Sequence, residues 1–539
     1  MAITPDILLA YVKCATKGHL KTFAEAADTA STFGAWRNRT CASYHQLARQ
    51  HLTAGLKEDQ FYVGTPSRQV FKSQAHSLVI DCSIHNAEIE TCIAALEVSP
   101  KTRNLARPNG YLPVRFTPDE KISIEDKLLL AFDAIALHSA FGELPSRGKI
   151  IHGHQYSCTV VSIEKPIKTV RSLLVKIAKQ QFDSGLPPLV LNRHCSECEF
   201  QTRCRNLSVE KDDLSLLSNF TAKERTRQHE KGIFTVAQLS YTFRPRRRAS
   251  SLLGRSNPAL RALAIRKNQI HVIGTPVMNL VGTPVYFDVE GVPDRDFYYL
   301  IGLRYKAEGG EYVQHSFWAN DPSEEQTIWN HCLHKLASIE KPQLIHYGKY
   351  ETEFVKRMMD RYANDLDHPE NVDQLFATAL NLVSVIHGSV YFPTYSNGLK
   401  DVANYLGFKW SRPAMSGLLS TMWRAEWEST ADPKLKDQLL AYNADDCEAA
   451  QRVADTLNQI CQNRGANIVQ VDSLKREYPQ RFGATEFAVP AFEEINSAAY
   501  WGLPEEQSLC SIQSAFKGRN DRDPQPSCKV VTDKQSHRY

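Results

Sequence analysis

Two carboxylates one residue apart, Asp288 and Glu290, stand in the apolar run VYFDVEGVPD. In a strand, residues i and i+2 share a face. Neighbouring like charges there cost free energy unless the face is wet or a cation lies between them. Val285, Phe287 and Val289, with the following run of Tyr299, Leu300, Ile301 and Leu303, argue for a buried strand and against a wet one. Further carboxylates that could complete a metal site occur downstream. Glu351 in LIHYGKYETEF follows a strand-like run, at the first turn of the next helix, and Tyr442 and Asp446 in LLAYNADDCEAA are four apart on one helix face. Asp445 competes with Asp446 but lacks the i+4 relation to Tyr442. Asp373 in NVDQLF is a supporting residue or simply a helix cap. Ordinary surface and capping interactions are the plainer alternative for the whole set.

A second constellation uses sulfur. HCSECEFQTRC places Cys195, Cys198 and Cys204 at C-x2-C-x5-C spacing, a metal signal in a chain expected to be cytosolic. Zinc would need one more ligand, from His194 or a distant cysteine. An iron–sulfur cluster commonly takes four thiolates, and Cys14, ending DILLAYVKC, is the natural fourth. Burial in a core is the other reading of Cys14. A third cluster is basic: Arg244, Arg246, Arg247 and Arg248 in FRPRRR, followed by Arg255, Arg261, Arg266 and Lys267. It suits backbone phosphates or a solvated loop.

These groups must be positioned by a chain of 539 residues, long enough for two to four domains. With 42% hydrophobic and 23% charged residues it has an ordinary globular composition, and its net charge of +4 decides little about partners. No apolar run approaches the roughly 20 residues of a membrane span, and MAITPDILLAYVKC has no basic n-region before a clean apolar stretch. A cytoplasmic protein is expected, in which thirteen cysteines are not a disulfide framework. Without a Walker motif, any helicase would be a separate protein. The patterning predicts an α/β, multidomain chain. Residues 1–205 mix helices with short strands and end in the cysteine cluster. Residues 206–279 form a basic helical connector. Residues 280–465 give three consecutive strands and then alternating strands and helices, arguing for a mixed sheet. Residues 466–539 form a C-terminal extension whose polar tail after about 505 is expected to be disordered.

The order D-x-E on a strand, E after a strand, and Y-x-x-x-D on a helix resembles the three exonuclease motifs of the RNase H-like DEDD superfamily. It is the Tyr-bearing subclass, and the YprB-type domain fused to RecB-like nucleases in particular. The segment FPTYSNGLKDVANYLGF resembles the helix between the second and third motifs. The resemblance implies Asp288, Glu290, Glu351 and Asp446 as ligands of two magnesium or manganese ions, which activate a water and stabilise the leaving oxygen in phosphodiester cleavage. It gives Tyr442 the role of orienting that water. Glu351 departs from the usual Asp by one methylene. One N-terminal cysteine with a closing C-x2-C-x5-C resembles the iron–sulfur staple of RecB-like and AddB-like nucleases, which implies a [4Fe–4S] cluster on Cys14, Cys195, Cys198 and Cys204, with zinc as the alternative. HEKGIFTVAQLSYTFRPRRR resembles the connector between the two domains in such fusions, with the glycine ending one helix and Thr235 capping the next.

RecB-like catalysis needs an Asp on one strand and E-x-K on the next. Here Asp81 and Glu97 are present, but Ser99 stands where the Lys belongs, Arg115 is no equivalent, and Lys127 and Phe132 replace the usual Gln and Tyr. The N-terminal lobe is therefore expected to be a degenerate nuclease fold. The implied function is a metal-dependent 3′ to 5′ exonuclease on DNA, with RNA as a further substrate class. The competing expectations are a non-catalytic nucleic-acid-binding subunit of a DNA-processing complex and a protein whose N-terminal lobe does the cutting.

Overall fold

A computed structural model of the chain describes residues 2–25, 27, 32–98, 110–183, 185–218, 220–245, 256–363, 369–412, 416–462, 464 and 467–474. Arg246, Arg247, Arg248, Arg255, Ser99 and the tail beyond 505 lie outside the described residues.

The first sheet has six strands in sequence order: β1 (Phe61–Val63), β2 (Leu78–His85), β3 (Glu90–Val98), β4 (Tyr111–Thr117), β5 (Arg147–His152) and β6 (Ser157–Ser162). β1 runs parallel to β2 and β4 to β5, and the other neighbours are antiparallel. The parallel step from β4 to β5 needs a crossover. It is supplied by the helix Ile124–Phe141, which starts at a Ser123–Asp126 capping box and stops at Gly142 with φ +83°. That helix is buried against one face of the sheet, where Leu130, Phe132 and Leu137 join Val79, Ile93 and Leu96. On the other face the helix Thr32–Thr53 sets Tyr44 and Ala48 against Ile80, Val114 and Phe116.

The connector helices Ala222–His229 and Val236–Tyr241 are separated as the sequence predicts: Gly232 takes φ +74° and the Thr235 hydroxyl accepts from the backbone N–H of Gln238. A third helix, Pro258–Lys267, leads into β7 (Ile270–Val272).

The carboxylates ride on the next sheet, with strand order β10-β9-β8-β11-β12. β8 (Thr283–Val292), β9 (Phe297–Lys306) and β10 (Tyr312–Trp318) form an antiparallel meander, while β11 (Pro342–His346) and β12 (Leu380–Asn381) run parallel to β8. This is the mixed sheet read from the pattern. Both faces are covered, so β9 reads as a nearly continuous apolar run and is buried along it. The helices Glu325–Ala337 and Tyr350–Tyr362 cover one face, meeting it through Trp329 and Phe354. The long helix Pro433–Cys461 covers the other, burying Leu439, Tyr442, Asp446, Ala450, Val453 and Leu457 at helical spacing. A small sheet of β13 (Val390–Tyr391), β7 and β14 (Ile468–Gln470) ties the end of the connector into this lobe. The two lobes touch where the Asp294 carboxylate, in the β8–β9 turn, accepts from the Glu120 backbone N–H at 2.8 Å. No described helix is long and apolar enough to cross a membrane.

Candidate metal centres

Alternation on β8 turns Asp288 and Glu290 toward the long helix, and a bulge between Glu290 and Gly291 shifts the register immediately after them. Asp446, on the buried stripe of that helix, meets them there. One oxygen from each of Asp288, Glu290 and Asp446 lies within 4.8 Å of the others, and this is the only such group of three or more potential ligands among the described residues. Each carboxylate is held by a second side chain. Asn443 Nδ2 donates to Asp288 Oδ2 at 2.7 Å, Ser420 Oγ to Glu290 Oε2 at 2.9 Å, and Trp410 Nε1 to Asp446 Oδ1 at 2.7 Å. Tyr442, one helical turn before Asp446, also hydrogen-bonds it. Asp445 turns away and accepts from the backbone and hydroxyl of Ser411.

Desolvation dominates the electrostatics of this cluster and mutual repulsion adds to it. Burial and the nearby Asp446 push Glu290 up to about 8, burial raises Asp446 to about 6, and Asp288 rises well above the usual carboxylate range. A hard divalent cation removes the conflict, because it takes carboxylate oxygens and favours their ionised form. The donor set therefore fits magnesium or manganese. Lys400 is the nearby cation on the protein side. Half-buried, its ammonium lies 5.1 Å from the Tyr442 ring centre and 5.6 Å from that of Trp410, with its charge acting on Asp446 and Glu290.

Glu351 is not brought into the triad. It is buried at the first turn of Tyr350–Tyr362, with Oε2 3.5 Å from His346 Nδ1, on the opposite side of the sheet edge. Its charge reaches Asp288 and Glu290 but its oxygens stand outside the 4.8 Å set. Of the four expected carboxylates, three therefore stand together around one point, with Glu351 beside them but outside that set.

Close approach fixes the support. A Cβ on Gly302 of β9 would sit 2.0 Å from Asn443 Oδ1. Gly302→Ala is expected to displace Asn443 from Asp288, lowering stability by about 1–3 kcal/mol through overpacking and weakening Mn²⁺ binding. Thermal melts with and without Mn²⁺ check both effects; wild-type metal affinity in the variant would remove Asn443 from the account.

The four sulfur candidates also converge. Cys14 sits between the helices Pro5–Lys13 and Ala15–Thr22, Cys195 and Cys198 lie in and just after a short 3₁₀ turn, and Cys204 is on Gln201–Glu210. All four line one cavity of about 20 Å³, with Lys17, His194 and Phe200 around it. Burial pushes the thiols of Cys195, Cys198 and Cys204 up, the last to about 11. All described cysteines are free thiols. No three of the four sulfurs fall within 4.8 Å of one another.

The RecB-like candidates do not assemble a metal site. Asp81, at a β2 irregularity with φ +54°, pairs with Arg49 at 2.6 Å. Glu97 pairs with Lys149 of β5 at 2.6 Å, and Arg115 pairs with buried Asp133 at 2.7 Å. Of the basic cluster, Arg244 and Lys267 are exposed, whereas Arg261 is buried and so is not part of a basic surface.

Asn443, Ser420, Trp410 and Lys400 were not assigned to the site from the sequence. Lys400 carried a signal, lying in the GLKD segment between the second and third motifs, and Asn443 one in its place beside Tyr442. Ser420 carried none. No curated protein matches the chain. The stretch that carries the triad, residues 285–458, matches the family model RNase_H_2 of the RNase H superfamily.

Proposed function

We propose that the chain is a metal-dependent nuclease whose chemistry resides in the C-terminal lobe, acting as a 3′ to 5′ exonuclease on DNA. The observation that carries the reading is the convergence of Asp288, Glu290 and Asp446 within 4.8 Å in a stretch with an RNase H superfamily match. A divalent cation in this triad would supply Lewis-acid polarisation of a phosphoryl oxygen and an acidified water. Tyr442, bonded to Asp446, would orient that water, and Lys400 would offset charge on the phosphate. Arg244 and its neighbours in the basic run would contact the strand backbone. The test is an assay on strands labelled at either the 3′ or the 5′ end, as DNA and as RNA, with Mg²⁺, Mn²⁺ or EDTA. Mononucleotide released first from a 3′ label, with DNA preferred, is the expected result. Internal cuts or release from the 5′ label would overturn the polarity.

The N-terminal lobe is proposed as a RecB-like fold that guides substrate. Its antiparallel β2–β3–β4, crossover helix and parallel β5 support this, and the pairing of Asp81 and Glu97 with Arg49 and Lys149 supports its lack of catalysis. A [4Fe–4S] cluster on Cys14, Cys195, Cys198 and Cys204, with zinc as the alternative, is proposed from the convergence of the four cysteines at one place. Cys195→Ser is expected to lower the melting transition of the N-terminal lobe while leaving Mn²⁺ binding at the triad unchanged. Anaerobic purification, visible absorbance and iron and sulfide assays check the cofactor; stoichiometric zinc without sulfide would replace the cluster reading.

The placement of Glu351 outside the triad favours a second reading, a non-catalytic nucleic-acid-binding subunit. Under it the wild type binds strands but releases no nucleotide with any metal.

A further inference from the structure

The helix Glu164–Asp183 packs on the crossover helix of the N-terminal lobe. Ile167, Val170 and Ile177 recur at helical spacing and are buried with Leu130 and Leu137, which fixes the direction of the opposite face. That face carries Lys165, Lys168, Arg171, Lys176 and Lys179, all exposed. Lys165, Lys168, Ser172, Val175, Lys179 and Phe182 follow one another at steps of three and four, a single stripe, with Arg171 and Lys176 on its two sides.

Two features separate this face from an ordinary solvated one. No acidic residue occurs between Lys165 and Phe182, so the run lacks the alternating signs with which solvated helices pair across a turn. Nor does any of the five cations make an ion pair among the described residues, whereas Lys13, Lys17 and Lys21 of the same lobe all hold carboxylates. Like charges one turn apart cost helix stability, and an anionic partner removes that cost. The second feature is apolar. Phe182 is 88% exposed and Val175 71%, and Phe182 is the most exposed large hydrophobic side chain among the described residues.

Of the polyanionic surfaces a cationic helix can meet, a lipid surface fits poorly. A helix lying in a membrane interface turns a broad apolar face outward; here that face is packed into the core of the lobe, and only two apolar side chains remain outside. A phosphodiester strand fits well. Its charges repeat along a line, as the cations do over about 21 Å from Lys165 to Lys179 at the helical rise per residue. An exposed ring among cations stacks on a base that is unpaired, so the strand is single.

We infer that this face is a docking surface for single-stranded nucleic acid, with the lysines and Arg171 on backbone phosphates and Phe182 against a base. The choice of nucleic acid over an acidic protein rests on the proposed nuclease reading, and the guiding role of the N-terminal lobe thereby acquires a location.

The test is fluorescence anisotropy of the full chain with labelled oligothymidylate and with a duplex of equal length, in EDTA across a salt series. Lys168→Gln, Lys176→Gln and Lys179→Gln together should weaken single-strand binding at least about tenfold and lower the slope of log affinity against log salt by about 2, since each phosphate contact contributes about 0.7. Phe182→Ala should weaken single-strand binding about tenfold, with the slope and the duplex affinity unchanged. The same three neutralisations at exposed Lys57, Lys306 and Lys356 should have little effect. Melting and its response to Mn²⁺ should match wild type in every variant. Strand binding that is absent or unmoved by the triple variant, an equal loss from the control lysines, equal losses of single strand and duplex with Phe182→Ala, or attachment to phosphatidylserine vesicles instead of strands would overturn the inference. Cleavage with binding unmoved would spare the nuclease reading and sink this surface; helix-dependent binding without cleavage would do the reverse.

Discussion

Asp288→Asn is expected to eliminate metal-dependent cleavage, by about a thousandfold or more, while leaving strand binding and the fold in place. The size follows from what a triad cation supplies. Stabilising charge at the phosphoryl group is worth several kcal/mol, and each 1.4 kcal/mol is tenfold in rate. Asp288 lies on the central strand of its sheet with an oxygen within 4.8 Å of those of Glu290 and Asp446, so replacing its charge with a neutral amide removes one of the three anionic ligands that would hold the ion. The fold should tolerate the change because the new amide oxygen can still accept from Asn443 Nδ2, now 2.7 Å from Asp288 Oδ2. It also removes one of three mutually repelling charges. The metal-free variant should therefore melt at a higher temperature than the metal-free wild type, while losing most of the stabilisation that Mn²⁺ provides, as expected where a site stores strain for function. Parallel assays of cleavage, binding and melting separate these outcomes. A variant that cuts as well as wild type would move the chemistry out of the C-terminal lobe, toward Asp81 and Glu97. A wild type that binds but never cuts would establish the non-catalytic reading instead.

Much of this site was legible because its elements are strongly periodic. Asp288 and Glu290 are two apart on a strand, Tyr442 and Asp446 four apart on a helix, and both elements carry apolar stripes that fix which way the acids face. The mixed sheet followed from the same patterning, since β9 is apolar on both faces and β11 and β12 each come after a helix. Glu351 was less legible for a related reason. Its position after β11 was readable, but whether a first-turn side chain swings to one side of a parallel strand or the other depends on tertiary register. Pairing of Leu344 with Val285 sends His346 to the back face, and Glu351 meets it there. The support residues fail differently. Ser420 and Trp410 lie outside the three motifs, and a serine in the first turn of a helix looks the same whether its neighbour is solvent or Glu290. The cysteines lie between these cases: spacing alone grouped Cys195, Cys198 and Cys204, but only the placement of the first two helices brings in Cys14.

The metal-free protein is expected to lose stability as pH rises, and divalent cation to cancel that loss. Folded-state values of about 6 for Asp446 and about 8 for Glu290, with Asp288 raised too, all lie above those of the unfolded chain, near 4. A carboxyl group whose pKa is raised by folding holds its proton more tightly in the native state. Its stabilising contribution is complete below the unfolded value and is lost as pH climbs through the folded one. Between pH 5 and 9 the acids of the triad are forced to ionise against one another in a desolvated site, and the melting temperature of the C-terminal lobe in EDTA should fall. For a domain of this size each kcal/mol is worth about 2–4 °C, so a fall on the order of 5–10 °C is expected. A bound cation reverses the sign, because it favours the ionised carboxylates and its binding expels protons. Mn²⁺ affinity should therefore rise across the same interval, and melting at saturating Mn²⁺ should be nearly flat. Glu290→Gln isolates the effect from other titrating groups: it removes one of the three mutually repelling carboxylates, so its EDTA profile should fall less steeply than that of wild type. An EDTA profile that is level or rises from pH 6 to 8.5, and is the same in wild type and Glu290→Gln, would mean that the three carboxylates do not share one enclosed site in solution.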